Sequence, residues 1–401
     1  MASGRPRAAA LLRTTLVLML PGAGAVVTRI SETQWRQRAA AHARRVYDLL
    51  EPGFEAPSSP MPARFANSAS PPHPDVESPF RGLSGAHAVY NFLLEYYHVK
   101  GAKGTRGLAR WSPEIDPDSP ATLLLGATDD DLACGRLSLR GARITDDGVL
   151  YDATAAFADA SAASATPFVW YRDLMRRTSA AEPIVHCYGL HEWAMQYHPE
   201  GAPEPPSAKY QRHAMPLRVS RDVINAAVER RGISCTHVDA LRFFAPAAAP
   251  LNHHGESIAR VEQLELEQPA CVHAAMDLLK MGIRLAPWLA GELLADCLEV
   301  SIAARRLDVA ASPYDASRFG IEAIPVETAE GRAEYRRQQI ELMGRAGEVR
   351  ARLLVAYEDF LAVAFGEDRV ADAEANPADE RFACATPGGK PWRRSLVERA
   401  S

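Results

Sequence analysis

Apolar residues recur at helical spacing over most of the second half of the chain. From Phe168 onward this pattern predicts helices over residues 168–179, 188–198, 221–231, 269–283, 286–306 and about 329–365. Two of these helices have clear start signals. Ser220 can accept a hydrogen bond from the first turn, and Pro269 lacks the N–H that a first turn leaves unpaired. The second half of the chain is therefore predicted to be mainly α.

Two further helices are predicted nearer the N-terminus. Ser31 and Gln34 have the spacing of a capping box, in which each side chain bonds to the backbone N–H of the other, and the helix they start ends before Pro52. A second amphipathic helix is predicted from about Ala86 to His98. Residues 52–79 contain eight prolines, so we expect a long surface loop there.

Residues 122–152 have a different pattern, with short apolar runs between turns that contain aspartate or glycine. Asp147-Gly148 is a hairpin signal within this stretch. The following residues, 153–165, are rich in alanine and serine and are predicted to be a spacer. The predicted fold class is mainly α: one helical domain over residues 26–365 with a small antiparallel β region, then a polar C-terminal tail over 366–401.

The first 25 residues are predicted to be a cleaved targeting leader. Arg5 and Arg7 precede a mostly apolar stretch, and residues 23–25 are small, at the spacing that a signal peptidase accepts. The expected destination is an organelle (plastid or mitochondrion) or the secretory route.

Composition excludes several classes of protein. With 47% apolar residues in 401, the chain can bury a sizeable core, and its net charge of -5 argues against nucleic acid as the default partner. No run of 18 apolar residues predicts a membrane span in the mature chain. The six cysteines form no C-x-x-C pair and are predicted to be buried, reduced thiols. No phosphate-binding glycine motif is present, so no nucleotide cofactor is indicated.

Histidines are concentrated in one part of the chain, since eight of the 12 lie between His186 and His273. Imidazole and carboxylate groups together are the ligands that zinc and non-haem iron prefer. Three segments in this part each contain a histidine with a carboxylate within four residues. We predict that they form one polar pocket for a divalent metal, zinc or iron, with His191, His237 and His273 as metal ligands and Glu192, Asp239 and Asp277 as catalytic carboxylates.

The first two segments are expected to differ in local structure. On a helix over 188–198, His191 and His198 share a face, and Glu192 lies about 100° away around the axis. His237 and Asp239 point to the same side if their segment is an extended strand.

In the third segment, His273 and Asp277 are neighbours on a helix that starts at Pro269. An aspartate beside a histidine can fix its tautomer for metal binding or for general-base catalysis. Three separate buried His–carboxylate pairs, which only hold helices together, remain the competing interpretation.

Eight segments spread from Ser31 to about Val363 are similar to segments of known proteins: ISETQWRQRAAAH, HEWAMQYH, RHAMPLR, CTHVDALRFFAPAAAPLN, LEQPACVHAAMDLL, LLADCLEV, ASPYDAS and ETAEGRAEY. Through them the chain resembles a bacterial family that genome annotation labels 3-methyladenine DNA glycosylase. The resemblance implies an enzyme that flips a damaged base into an aromatic pocket and activates water with Asp239 or Glu192. Its candidate stacking residues are Trp193, Tyr197, Phe243 and Phe244.

Three functional hypotheses follow. The first is an enzyme with a His/carboxylate site, metal-assisted, a hydrolase or an oxidoreductase acting on a small organic substrate. The second is the DNA base-excision glycosylase that the resemblance implies, for which DNA would be the partner. The third is a non-catalytic helical scaffold.

Overall fold

The structure is a computed structural model that describes residues 18–19, 26–53, 87–95, 97, 107–205 and 215–375. The rest of the predicted leader, most of the proline-rich loop and residues 376–401 of the predicted tail lie outside these ranges. Helices dominate the described residues, so the predicted mainly α class is confirmed. None of these helices is long and apolar enough to cross a membrane.

The described helices of four residues or more are α1 (Glu32–Leu50), α2 (Asn91–Glu95), α3 (Asp129–Ala133), α4 (Ala153–Ala156), α5 (Ala162–Ala180), α6 (Leu190–Ala194), α7 (Arg221–Glu229), α8 (Val238–Leu241), α9 (Gln263–Leu266), α10 (Val272–Leu285), α11 (Gly291–Ala311) and α12 (Ala329–Ala375). The strands are β1 (Leu18–Met19), β2 (Val26–Ile30), β3 (Ala121–Leu125), β4 (Ala142–Thr145) and β5 (Gly148–Asp152).

The long helices pack against one another as a bundle. Helix α10 lies against α11, α12 packs on α5, α10 and α11, and α1 lies against α11. Buried hydroxyl groups join α10 to its neighbours: Tyr357 donates to the Met281 carbonyl over 2.8 Å, and Ser301 donates to the Met276 carbonyl over 2.8 Å. One cluster of buried apolar residues extends through this bundle, and the candidate site lies at its edge.

The strands in the predicted β region, β3, β4 and β5, pair antiparallel as expected, but β2 adds a parallel pair, so the sheet as a whole is mixed. The strand order is β1-β2-β3-β5-β4, and β2 runs parallel to β3 while the other pairs are antiparallel. A parallel pair needs a long crossover connection, and the chain from β2 to β3 passes through α1. Trp35 of α1 donates to the Leu125 carbonyl at the end of β3 over 2.9 Å, which joins this helix to the sheet.

Helix boundaries near the sheet differ from the prediction in one region. The predicted spacer at 153–165 includes α4 and the start of α5. Alanine is the best helix former, and Asp152 caps α4 by accepting from the Ala155 N–H over 3.0 Å. The capping box at Ser31 and Gln34, in contrast, is present as predicted.

Three other helices have boundaries that differ from the prediction. The segment predicted as a helix over 188–198 is helical only in α6, so His198 lies beyond the helix, where its Nδ1 is 2.9 Å from Arg221. Helix α11 begins at Gly291 and continues to Ala311, five residues past the predicted end. Helix α12 also continues beyond residue 365, with a kink at Gly366 where φ is 71°.

Candidate active site

The three histidines predicted to converge do so. The ring centroids of His191 and His273 are 4.6 Å apart, and those of His237 and His273 are 4.8 Å apart, with the second pair stacked. His273 therefore lies between the other two imidazoles. We call these three residues the histidine cluster.

A short, tightly turned segment brings His191 to this position. Tyr188 and Gly189, immediately before α6, both have positive φ, 49° and 66°. A non-glycine residue in this conformation is uncommon and is often found at functional sites. A Cβ on Gly189 would lie 3.2 Å from the Ala311 side chain, so the turn packs closely on the end of α11. This packing places His191 beside the last turns of that helix.

His237 and His273 both lie at helix starts. His237 is the N-cap of α8, not part of a strand, so the expected strand geometry of His237 and Asp239 was wrong. The two side chains are nevertheless close, with His237 Nε2 3.9 Å from Asp239 Oδ2. His273 and Asp277 lie one turn apart on α10, as the sequence predicted, but the helix begins at Val272 and not at Pro269, so His273 is in its first turn.

Asp308 of α11 is the partner of His191. Its side chain is fully buried, and its Oδ1 is 2.7 Å from His191 Nε2. The two atoms are not aligned as a hydrogen bond, and neither has another hydrogen-bond partner among the described residues. Arg305 contacts the other oxygen, Oδ2, over 2.5 Å and also donates to Glu192 over 2.9 Å. His191 and Asp308 thus form a buried ion pair when the imidazole is protonated.

The charges of this pair stabilise each other. Burial disfavours the carboxylate of Asp308, but the neighbouring His191 and Arg305 outweigh that cost and hold its pKa well below the usual value. Burial likewise disfavours an imidazolium at His191, yet Asp308 raises the His191 pKa above its ordinary value.

Glu267 fixes the orientation of His237. Its Oε2 is 2.7 Å from His237 Nδ1 and also accepts from Gln263 over 3.0 Å. Burial opposes the charge of Glu267, but His237 lowers its pKa, so the group is a carboxylate that can only accept. Nδ1 of His237 therefore carries the proton, and Nε2 points away from Glu267 toward the rest of the site.

His273 has no hydrogen-bond or ion-pair partner among the described residues, although its ring contacts both neighbouring imidazoles. Burial and then the charges of His191 and His237 lower its pKa well below the usual value, which keeps this imidazole neutral. A neutral imidazole with both nitrogens free of protein partners is available to bind a metal or a substrate.

A buried lysine neutralises the predicted catalytic carboxylates. Lys280 Nζ lies 3.8 Å from Asp239 and 3.6 Å from Asp277, and Arg260 donates to Asp239 over 2.7 Å. Tyr97 donates to Asp277 over 3.2 Å. Burial of Asp239 opposes its negative charge, but Lys280 and then Arg260 outweigh this and hold the Asp239 pKa far below its usual value. The Asp239 carboxylate is therefore a weak base.

A small pocket reaches the histidine cluster from outside. This inner pocket has a volume of about 20 Å³ and is lined by His191, His273, Ser234 and three cysteines, among others. Burial raises the pKa of the Cys235 thiol to about 12 and that of Cys271 well above its usual value, so these thiols are not activated nucleophiles. The cysteines in the described ranges are free, as predicted.

Three groups of residues have ligand atoms close enough to hold one metal ion: His191, His273 and Asp308; His237, Glu267 and Cys271; and His237, Asp239 and Asp277. The third group already contains two cations, Lys280 and Arg260. Like charges about 4 Å apart repel by about 4 kcal/mol at an effective dielectric constant of 20, so a divalent ion is disfavoured there. In the second group, Glu267 is engaged by His237 and the Cys271 thiol is hard to ionise. The first group also has a cation beside it, Arg305, 2.5 Å from Asp308 Oδ2. Of the three groups it alone includes His273, which has no hydrogen-bond or ion-pair partner among the described residues, so it is the best suited.

Sequence reasoning missed two of these carboxylates, Asp308 and Glu267. Part of the signal for Asp308 was present, since it lies three residues after Arg305 on α11, a spacing that indicates an ion pair. The sequence does not show that His191 is its other partner. Glu192 lies at the site as predicted, held by Arg305.

The candidate stacking residues lie mostly in the core. Trp193, Tyr197 and Phe244 are buried, and Trp193 donates to the Ala311 carbonyl over 2.8 Å. Phe243 is partly exposed and contacts the guanidinium of Arg242.

Comparison of the chain with family models, curated proteins and solved structures finds no match. The geometry and chemistry of the histidine cluster are therefore the basis for a functional proposal.

The stability of the metal-free protein is expected to depend on pH through His273. Its folded-state pKa lies below the unfolded value of about 6.5, so the unfolded chain takes up this proton first as the pH falls. The stability contributed by neutral His273 is present above pH 6.5 and is lost below it. His191 contributes a pH dependence of the opposite sign. Because its pKa is raised in the folded protein, its stabilising contribution is lost as the pH rises through the folded value.

This expectation can be isolated with the variant His273→Asn. We expect the wild type to lose stability relative to the variant between pH 6.5 and pH 5, by up to about 1.4 kcal/mol per pH unit. Urea unfolding of both proteins at four pH values measures the difference. A difference that does not change with pH would contradict the assignment of a neutral His273.

Proposed function

We propose that the protein is a metal-assisted enzyme, in which His191, His273 and Asp308 bind one divalent ion. The observation that carries the proposal is the grouping of three ligand atoms: His191 Nε2 and Asp308 Oδ1 are buried and 2.7 Å apart, and the His273 imidazole beside them has no hydrogen-bond or ion-pair partner among the described residues. Ligand atoms of a tetrahedral metal with bonds of about 2.0–2.2 Å lie about 3.3–3.6 Å apart, so the two atoms need to separate by less than about 1 Å to hold an ion between them. His273 offers the third ligand atom, within 4.8 Å of both.

Two imidazoles and a carboxylate suit zinc or ferrous iron, and three protein ligands leave a position open for substrate or water. A metal so held polarises a carbonyl or phosphoryl oxygen, or lowers the pKa of a bound water. The inner pocket supports this role, because His191 and His273 both line it. Hydrolysis of a small organic substrate is the reaction class that fits best.

His237 is then the proton carrier beside the metal. Glu267 holds its Nδ1–H, an arrangement that orients an imidazole and raises its basicity. The His237 pKa is raised because Glu267 and then Asp277 and Asp239 outweigh the burial that disfavours its charge. A protonated His237 stacked on His273 would serve as a general acid, and Asp239 and Asp277 support it through their field.

Metal analysis tests the proposal. Full-length protein purified without an affinity tag of histidines is expected to contain about one zinc or iron per chain, measured by plasma mass spectrometry. His191→Gln and His273→Gln should each remove most of this metal, because each deletes one of three ligands. His198→Gln is the matched control, since His198 lies outside the cluster and its Nε2 is 2.9 Å from the Ala202 carbonyl.

A metal-free wild type that also binds no added zinc, ferrous iron or manganese would overturn the proposal. Equal metal loss in the His198 variant would do so too, because it would indicate nonspecific binding. The DNA glycosylase alternative gains no specific support from the site. Of its candidate stacking residues, Trp193, Tyr197 and Phe244 are buried, and the inner pocket is smaller than a nucleobase.

A further inference from the structure

A larger cavity adjoins the inner pocket. This outer cavity has a volume of about 310 Å³, at the small end of the range of about 300–1,000 Å³ for small-molecule sites. Its lining includes Ser234, Arg230, Arg231, Arg332, Glu327 and three histidines, His186, His253 and His254. Ser234 lines the inner pocket as well, so the two spaces lie next to each other.

The lining of the outer cavity carries excess positive charge. Three arginines face one carboxylate, Glu327, and Arg218 already binds both oxygens of that carboxylate over 2.6 and 2.8 Å. Arg332 donates to the Val326 and Glu327 carbonyls over 3.0 and 3.1 Å, so its guanidinium is held in place without losing charge. Arg231 has no ion-pair partner in the described part of the chain. The cavity thus has cations without matching anions.

The backbone brings these cations to the cavity through a tight turn. Gly232 has φ of 69°, and a Cβ there would lie 2.6 Å from His253 Nε2 and 2.7 Å from the Leu251 carbonyl. Only glycine fits this turn, which follows directly after Arg230 and Arg231. His253 Nε2 lies 2.6 Å from the Arg231 carbonyl, and because a carbonyl only accepts, this nitrogen carries the proton.

Neutral hydrogen-bonding groups lie next to the arginines. The Ser234 hydroxyl lies 3.1 Å from His254 Nε2 and 3.4 Å from His186 Nε2. Burial and then the charges of His253 and His186 lower the His254 pKa, which keeps that imidazole neutral. Arginine guanidinium groups, hydroxyls and imidazoles are the groups that bind oxyanions, and arginine matches carboxylate and phosphate oxygens in pairs.

We propose that the outer cavity binds the oxyanion group, phosphate or carboxylate, of a small organic substrate. This assignment rests on the proposed function, because it places the reacting end of the same substrate at the inner pocket. A phosphate monoester matches the cavity better than a carboxylate, since three cations suit a dianion with three terminal oxygens. Ser234 marks the point where the substrate passes from the anion site to the metal site.

The test measures binding of inorganic phosphate to the full-length protein by isothermal titration calorimetry. Metal is first removed with a chelator, and the chelator, itself a polycarboxylate, is removed by gel filtration. Arg231→Gln is the test variant, because Arg231 is exposed and its loss leaves no buried group unpaired. Arg336→Gln is the control of equal charge change, exposed on α12 outside the lining of the cavity.

We expect saturable phosphate binding that Arg231→Gln weakens about tenfold or more, while Arg336→Gln leaves it unchanged. A parallel titration with acetate identifies the source of the oxyanion: acetate binding with the same dependence on Arg231 would make the group a carboxylate. No saturable binding of either anion, or an equal effect of the two variants, would overturn the inference.

Different variants test the metal site and the anion site, so one proposal can be overturned without the other. His191→Gln should remove metal but keep phosphate binding, since His191 lines only the inner pocket. Arg231→Gln should keep the metal content of the wild type. Phosphate binding without metal would contradict the proposed function alone, and metal binding without an anion site would contradict only the present inference.

Discussion

Replacing Asp308 by alanine is expected to destabilise the metal-free protein by about 3–5 kcal/mol, the cost of breaking a buried ion pair by removing one partner. Asp308 is fully buried and contacts His191 and Arg305, so its loss leaves both without their shared carboxylate. Its lowered pKa means that this contribution is present at neutral pH and is lost only as the pH falls through the folded value. Urea unfolding at pH 7 measures the change.

Asp308→Asn separates charge from shape in the same experiment. The amide fills the space of the carboxylate and can still accept a hydrogen bond, so a smaller loss is expected, and this variant should fold if the alanine variant does not. Glu341→Gln on α12 is the control, because Glu341 is exposed and pairs, among the described residues, with the exposed Arg337. Unfolding of Asp308→Ala at the urea concentration of the wild type would contradict the importance of this pair.

Replacing Lys280 by methionine is the second change with a large expected effect. The ammonium lies between Asp239 and Asp277, and its pKa is raised because these carboxylates outweigh the burial that disfavours its charge. Its contribution is therefore fully present below the unfolded pKa of about 10.4. Methionine keeps most of the volume but removes the charge, so we expect a loss of about 3 kcal/mol at pH 7 in urea unfolding.

The loss caused by Lys280→Met should shrink as the pH is lowered, because protonation of the carboxylates removes the unpaired negative charge. Lys280→Arg is the matched control, since it keeps the charge and should cost much less. Equal losses in the two variants would mean that packing, not charge, is what Lys280 contributes.

Local patterns in the sequence were enough to predict the helical class and several boundaries. Helical periodicity and the capping box at Ser31 depend on residues three or four apart, so they are visible in the sequence alone. The helix boundaries that were predicted wrongly also concern short segments of the chain. Residues 153–165 are partly helical because alanine favours helix. The helix predicted over 188–198 ends at Ala194, and the tertiary packing at that point is not visible in a sequence pattern.

Part of the site could also be predicted. His191, His237 and His273 each lie in an apolar segment, and a polar group in a core must find partners or cost about 1–3 kcal/mol. Their convergence follows from this requirement together with their concentration in one part of the chain. The roles proposed for them as ligands or proton carriers remain predictions.

The sequence by itself therefore determined the helical class, most of the long helices and the convergence of His191, His237 and His273. Only the tertiary structure decided which carboxylate each histidine meets: Asp308 from α11 for His191, and Glu267 for His237. It also decided that Lys280 occupies the space between Asp239 and Asp277, and that β2 lies parallel to β3. The physical reason is distance along the chain, since these partners are brought together by the packing of separate helices and strands, which no periodicity within one segment encodes.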